Sequence, residues 1–434
     1  MISRGSIKNL QETAGKWFRE NVSVSTIDEA EELIVDVSRR LSEAMMGAFA
    51  EQMDPKSTYE GVRISCACGG EASFEGYRSR WVRTLCGDIR PRRAYYHCEH
   101  CHSGVSPWDK RQGLSERIWS PGLSSLVGEL CARLTYAETA QLLERVLRLS
   151  VEESSQQDIV SDLGARLRAE ESKQIEAYFE REKEIAPESS ADRLYICVDA
   201  AKAHTDGAWH DVKTAVVFAG VRPDADSSRK IDEMTDARYL AAQESSEEFG
   251  KRLYVRAAAS GVESAREVVA LGDGAEWIWN QSAMHFAGSV EILDYYHACE
   301  HVWSFAAVRY GEGSAACKRW AQTHCRKLKA TGPTSLLRAM KRYKPKSPEQ
   351  TEALRLELGY FESHRHRMDY PTYRARGMMI GSGPVESACK VVVGQRLKQS
   401  GMRWTRAGAD NILALRTAIL SGQAERIQRL ARAA

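Results

Sequence analysis

The 434-residue sequence predicts a multidomain α+β protein, and three observations carry that prediction. Between residues 193 and 293 short apolar runs alternate with helical stretches in the order β-β-β-α-β-α-β, and a further helical tract follows. That order builds a mixed sheet covered by helices. Residues 60–110 are rich in Cys, Gly, Arg and aromatics with short alternating runs, the mark of a small β unit. Residues before, between and after these two parts follow a helical period.

Taken in order, residues 1–58 form a helical region whose amphipathic run Ile27–Met53 is ended by Pro55. Residues 59–115 hold the cysteine-bearing β unit. Residues 116–190 are helical again. There Thr135–Leu149 followed by Ser154–Glu170 reads either as a DNA-binding helix-turn-helix or as a plain helical hairpin. The α/β part spans 191–297, with strands expected at 193–198, 212–221, 238–242, 267–271 and 290–293 and a polar loop at 224–233. Residues 298–375 are an all-helical, basic insertion. The α/β part resumes over 376–420, where a helix begins near Pro384 capped by Ser382 or Gly383. Asn411–Leu420 reads as a packing helix and 421–434 as a C-terminal tail.

Composition excludes several classes. The chain is 43% apolar and 28% charged, enough for a sizeable core. It has no apolar run near the roughly 20 residues a membrane helix needs. The N-terminal MISRGSIKNLQETAGKWF lacks the apolar stretch of a secretory signal. Eleven cysteines, an odd number, then point to a reducing cytoplasmic compartment with cysteines buried or metal-bound.

The net charge of +2 conceals an asymmetry. Residues 301–434 hold 25 Lys+Arg against 9 Asp+Glu, while residues 1–300 hold 36 against 50. Within 318–346 stand ten basic residues and no acid: Lys318, Arg319, Arg326, Lys327, Lys329, Arg338, Lys341, Arg342, Lys344 and Lys346. A solvated helical face would account for them, but a polyanion such as double-stranded DNA is the better match.

Asp199 and Asp273 each follow a predicted buried strand, the edge at which open α/β sheets bind ligands. Glu386 falls in the first turn of the helix that opens near Pro384. Acids after apolar runs are costly to bury unless paired or bound to a cation. Three such carboxylates suit two Mg²⁺ (or Mn²⁺) ions about 3.5–4 Å apart. Ordinary cap and loop positions would give the same spacing.

Several blocks narrow the choice. They are Val198-Asp199; Trp209 to Lys213; Leu271 to Asn280; Asp294-Tyr295-Tyr296-His297-Ala298-Cys299-Glu300-His301; and Ile380 to Glu386, continuing through Cys389-Lys390 and Gln395 to Trp404. Over roughly 190–420 the chain resembles the bacterial insertion-sequence transposases of the Kra-four family, related to the Mutator group. The resemblance implies a ribonuclease-H-like catalytic domain interrupted by the helical insertion, with Asp199, Asp273 and Glu386 as a DDE triad. It implies a role for His297, three residues after Asp294, near the scissile phosphate. Family members usually carry Asp-Gly where this chain has Asp199-Ala200.

Cys98-Glu99-His100-Cys101 is a C-x-x-C knuckle, and Cys66-Ala67-Cys68 stands 30 residues earlier. Two knuckles flanking a β segment make a zinc-ribbon-like module, with Cys66, Cys68, Cys98 and Cys101 as Zn²⁺ ligands. The first knuckle is irregular, because Ser65 occupies the outer position, and His97, His100 or His102 are possible substitutes. A ribbon that has lost its metal is the other reading. The remaining seven cysteines read as small buried hydrophobes. Arg90, Arg92, Arg93, Tyr95 and Tyr96 suit either phosphate contact or the strands of the ribbon. Past Glu386, Arg396, Lys398, Arg403 and Trp404 interleave charge with an aromatic ring and suit a DNA backbone or splayed base. Trp277 and Trp279 read as core.

The expected function is therefore that of a transposase. It would bind terminal inverted repeats, act as a homo-oligomer in a synaptic complex at the bacterial nucleoid, and catalyse Mg²⁺-dependent strand cleavage and transfer. The alternative is a transposase-derived regulator that binds DNA without cutting it.

Overall fold

The computed structural model describes residues 4–114, 117–181, 183–223 and 231–433. It divides into two compact units. Unit 1 comprises residues 1–124, 140–151 and 432–434; unit 2 comprises 125–139 and 152–431. The helical segment 116–190 is thus not a unit of its own. The reason is its burial pattern: Ile159, Val160, Leu163 and Leu167 turn inward and share the core of unit 2.

Unit 1 opens with α1 (Arg4–Asn21) and α2 (Ile27–Gln52). A capping box of Thr26 and Glu29 starts α2. Asp54 and Pro55 end it and open a single 3-10 turn. Next come β1 (Arg63–Ser65), β2 (Glu71–Ser79), β3 (Val82–Thr84), β4 (Gly87–Ile89), β5 (Arg92–Cys98) and β6 (Gly104–Val105). β1, β2, β5 and β6 lie side by side, all antiparallel, and β3 and β4 form a separate hairpin. Ala72, Ala94, Tyr96 and Cys98 make a small core under the larger sheet. A second core of Val82, Ile89, Trp108 and Leu114 receives Met46, Ala50 and Met53 from α2. α3 (Pro107–Arg111) supplies buried Asp109, which accepts from both sides of the Arg93 guanidinium at 2.9 Å and from Arg80 at 2.8 Å. Such a bidentate buried pair fixes geometry more than it adds stability. It also decides the open reading of Arg93 and Tyr96: both are internal.

α4 (Pro121–Arg133) and α5 (Tyr136–Leu147) give residues to both units, and α6 (Glu153–Phe179) belongs to unit 2. The sheet of unit 2 contains β7 (Arg193–Thr205), β8 (Ala208–Val221), β9 (Glu233–Ala242), β10 (Glu267–Gly272) and β11 (Val290–Leu293), in the order β11-β10-β7-β8-β9. β8 runs antiparallel to β7 and β9, whereas β10 and β11 run parallel to β7. Leu194–Val198 of β7 and Thr214–Phe218 of β8 are buried throughout, as strands covered on both faces must be.

All five expected strands are present, and the limits of β7, β8 and β9 are revised by four to seven residues. β7 does not stop before Asp199. It continues to Thr205 and returns through Asp206-Gly207, both at positive φ, the two-residue turn that matches strand twist. β9 begins at Glu233, five residues early; residues 224–230 of the expected loop lie outside the described residues.

α7 (Ser246–Ala259) separates β9 from β10, and α8 (Glu276–His285) separates β10 from β11. The helical insertion follows β11 as α9 (Tyr295–Tyr310), α10 (Ala315–Thr331), α11 (Thr334–Lys341), α12 (Pro348–Ser363) and α13 (Tyr370–Ala375). α14 (Gly383–Ala388) then packs on β7 and β8. It runs into a π-helical stretch, Cys389–Gly394, and the short α15 (Gln395–Leu397). α16 (Arg406–Leu420) is buried from Ala409 to Ile419, the packing helix expected. Residues 421–434 are not a tail: α17 (Ala424–Arg432) buries Ile427, Leu430 and Ala431, because its apolar residues recur at helical spacing. No helix among the described residues is long and apolar enough to cross a membrane.

Candidate functional site

Two sets of side chains carry chemistry, one in each unit. In unit 1 the ligand atoms of Cys66, Cys68, Cys98 and Cys101 all lie within 4.8 Å of one another. Cys66 Sγ is 3.6 Å from Cys101 Sγ, and Cys68 Sγ is 3.6 Å from Cys98 Sγ. The irregular C-x-C knuckle works because its turn is tight. Cys66 N–H donates to the Gly70 carbonyl at 2.8 Å, and Gly69 turns at φ 85°. A Cβ on Gly70 would stand 3.4 Å from Cys68 Sγ and 3.6 Å from Cys98 Sγ, so glycine leaves the sulfurs room to converge. The register Ala72↔Cys98 across β2 and β5 brings the second knuckle opposite the first. Hydrogen bonds from Ser103 pull the Cys101 thiol down to about 6, toward the thiolate that binds metal. Four convergent sulfurs can hold a metal such as zinc, and no histidine is needed.

In unit 2 the acidic residues sit on neighbouring elements. Asp199 is on β7, and Asp273 directly follows β10, the parallel neighbour of β7. Asp199 Oδ1 accepts from Ala200 N–H at 2.7 Å, and Asp273 Oδ1 accepts from Ala275 N–H at 2.8 Å. Burial pushes the Asp199 carboxyl up, the Asp273 charge pushes it further, and His297 pulls it back. The two charge effects put Asp199, Asp273 and His297 in one electrostatic neighbourhood. Glu386, one turn into α14, is exposed and accepts from the Ser382 hydroxyl at 2.9 Å. Ser382 is the cap residue as expected, but its hydroxyl serves Glu386 rather than the helix end.

Asp294 holds the frame. Fully buried, it caps α9 by accepting from His297 N–H at 2.6 Å and also accepts from Ser382 N–H. Its own N–H donates to Gly272 O at 2.8 Å, and Tyr295 N–H donates to Ile380 O at 2.8 Å. One residue thereby ties the end of β10, the start of α9 and the approach to α14. Among the described residues, however, the four cysteines are the one group of three or more such side chains placed to hold a metal ion, and Asp199, Asp273 and Glu386 are not such a group.

Two neighbours were not anticipated. Cys389, expected among the buried hydrophobes, is only partly buried and points its thiol at Asp199 Oδ2 over 3.6 Å. Its place three residues after Glu386, on the same helical face, is the signal that would have found it. Tyr360 of α12 stacks on His301 at 3.7 Å, and a Cβ on Gly274 would lie 2.2 Å from its ring. His301 in turn meets Glu357 at 2.7 Å. The insertion therefore packs directly against the loop that carries Asp273.

The basic residues divide. Lys318, Arg319, Arg326, Lys327, Lys341 and Arg342 are exposed and Lys329 is half-buried. Of these, Lys341 pairs with Glu362 at 2.6 Å. Lys398 and Arg403 are exposed. Arg396 is not: it is 1% exposed, donates to Cys131 O at 2.8 Å and lies between the Tyr136 and Trp404 rings, 5.0 and 4.9 Å away. Its expected DNA contact is corrected to a packing role, because two aromatic faces and a carbonyl replace water around the guanidinium. Trp404 is partly buried by the same stack. Trp279 is core as expected, while Trp277 is half-buried under Lys213. Comparison with protein-family models and with curated proteins finds no match for this chain.

Proposed function

We propose that this chain is a DNA transposase with a ribonuclease-H-like catalytic domain and Asp199, Asp273 and Glu386 as its acidic triad. The observation that carries the reading is a shared edge. Asp199 stands on β7 and Asp273 just past the parallel neighbour β10, the Asp273 charge pushes the Asp199 carboxyl up, and Cys389, on the face of Glu386, reaches Asp199. The topology supports it as well. Numbered in chain order, the five strands of unit 2 run 3-2-1-4-5 with only the second antiparallel, and a helical insertion follows the fifth.

The donors are hard carboxylate oxygens, the kind Mg²⁺ or Mn²⁺ takes. Asp199, Asp273 and Glu386 would hold the ion, which supplies Lewis acidity to the attacked phosphate and to the nucleophile. In cleavage, water adds to phosphorus, the P–O3′ bond breaks, and the released 3′-oxygen takes up a proton. In strand transfer that 3′-hydroxyl attacks a target phosphodiester, so one P–O bond forms as another breaks. His297, whose charge acts on Asp199 and whose Nδ1 lies 3.2 Å from Glu300 Oε2, would meet the phosphate oxygens. The exposed cations of α10 and α11 supply the sequence-independent grip on the backbone, and two or more chains would bring the element ends together.

The test is nicking of a labelled duplex carrying the inverted repeats that flank this coding sequence, with Mg²⁺ or Mn²⁺. Metal-dependent cleavage at the repeat end that disappears in Glu386→Gln supports the transposase. Specific binding with no cleavage by either protein instead supports a DNA-binding regulator, a reading favoured by Glu386 being engaged with Ser382. The metal-binding module of unit 1 serves end recognition in both readings.

A further inference from the structure

We infer that the N-terminal helices form a self-association surface, with α1 of one chain lying along α2 of a second copy. Ile27, Ile34, Leu41, Met45 and Phe49 follow one another at intervals of seven, seven, four and four residues, which sets them on one line along α2. They are 80, 48, 52, 56 and 51% exposed. α2 already has a docking face, Met46, Ala50 and Met53, and the row lies to the side of it. No residue of the 26-residue helix is buried, so the second face is unpartnered along its whole length.

α1 has the complementary character. Leu10 and Trp17, 58 and 45% exposed, stand two turns apart with Ala14 between them, and none of its described residues is buried. At about 1.5 Å per residue, α1 would cover about 27 Å of an α2 some 39 Å long. The charges choose the partner. Asp28, Glu29, Glu31, Glu32 and Asp36 crowd the first ten residues of α2, which carry no Lys or Arg. α1 brings Lys8, Lys16 and Arg19 against Glu12 and Glu20. With seven acids against Arg39 and Arg40, α2 is net acidic, and a second α2 would set like net charge against like; an α1 sets base against acid. Reciprocal exchange of α1 between two copies buries both rows and closes a two-fold dimer, leaving no open end for further growth.

The inference is independent of DNA and of catalysis, and so is its test. Sedimentation velocity on the DNA-free full chain, from sub-micromolar to tens of micromolar, should show a concentration-dependent dimer. Leu41→Glu/Met45→Glu should weaken it about tenfold or more. Trp17→Ala, on a helix that no core depends on, should do the same with circular dichroism unchanged. Lys16→Glu should weaken the dimer, and adding Glu31→Lys/Glu32→Lys on α2 should restore it. A wild-type monomer throughout overturns the inference, including one whose Trp17 emission shows α1 folded on its own α2. So does a dimer indifferent to these changes.

Discussion

The two candidate metal sites differ in a way that composition did not foretell. In unit 1 four cysteines converge within 4.8 Å; in unit 2 Asp199 and Asp273 lie on or just past adjacent parallel strands, and among the described residues no carboxylates form such a group. Thiols are neutral near pH 7 unless something draws the proton away, so they pack together at little cost. Two tight turns and one strand register suffice. Carboxylates are charged, and burial beside Asp273 already makes Asp199 hold its proton more firmly. An acidic site needs countercharge to close; a thiol site does not.

The sharpest break of that comparison removes one member from each site. In unit 2, Asp273→Asn should lower metal-dependent nicking about 1,000-fold or more, since it deletes charge where the transition state needs it. Binding to the same duplex, read by gel shift, should persist. In unit 1, Cys98→Ser should take the zinc content measured by mass spectrometry from about one per chain toward zero. It should also destabilise unit 1 by about 3 kcal/mol or more, lowering its Tm. Retention of metal by that variant would mean the four sulfurs are not the ligands.

A smaller effect tests the electrostatics. Because the folded-state pKa of Asp199 is raised, its ionised form opposes folding. The penalty is absent below the ordinary carboxylate range and grows as pH rises through the folded value. Asp199→Asn should therefore raise Tm at pH 7 and lose that advantage near pH 4. Mg²⁺ should raise Tm of the wild type more than that of the variant. Equal responses to Mg²⁺ would sink the assignment of Asp199 as a ligand.

Smaller again, Lys318→Glu/Lys327→Glu should cut duplex affinity about tenfold and flatten the log-affinity against log-salt slope by about 2. An unchanged slope would locate the DNA elsewhere. Least of all, Cys389→Ala should shift the acid limb of the nicking profile upward by a few tenths of a pH unit, because the Cys389 thiol donates to Asp199 and favours its ionised form.

Much of the fold could be read from the residues, and the reasons are local. Leu194–Val198 and Val269–Leu271 are continuous apolar runs that only a doubly covered strand explains. Pro384 opened a helix where its missing N–H costs nothing. The apolar run predicts a strand ending at Asp199, whereas β7 continues as a hairpin whose pairing with β8 the local run does not show. Arg396 misled for a related reason. Its neighbours in sequence are basic, but its neighbours in space are Tyr136, Trp404 and the Cys131 carbonyl, more than 260 residues distant in the last case.

The sequence by itself determined the strand and helix order, the two cysteine knuckles and the separation of acidic and basic halves, because period, turn chemistry and charge are written residue by residue. Only the tertiary structure decided which of those residues meet. It brought a C-x-C turn close enough to complete a four-sulfur set, drew Arg396 inside, and turned Cys389 and Tyr360 toward the acidic edge. Contacts of that kind join residues from 30 to 265 positions apart, and they are selected by the packing of the whole core rather than by any local preference.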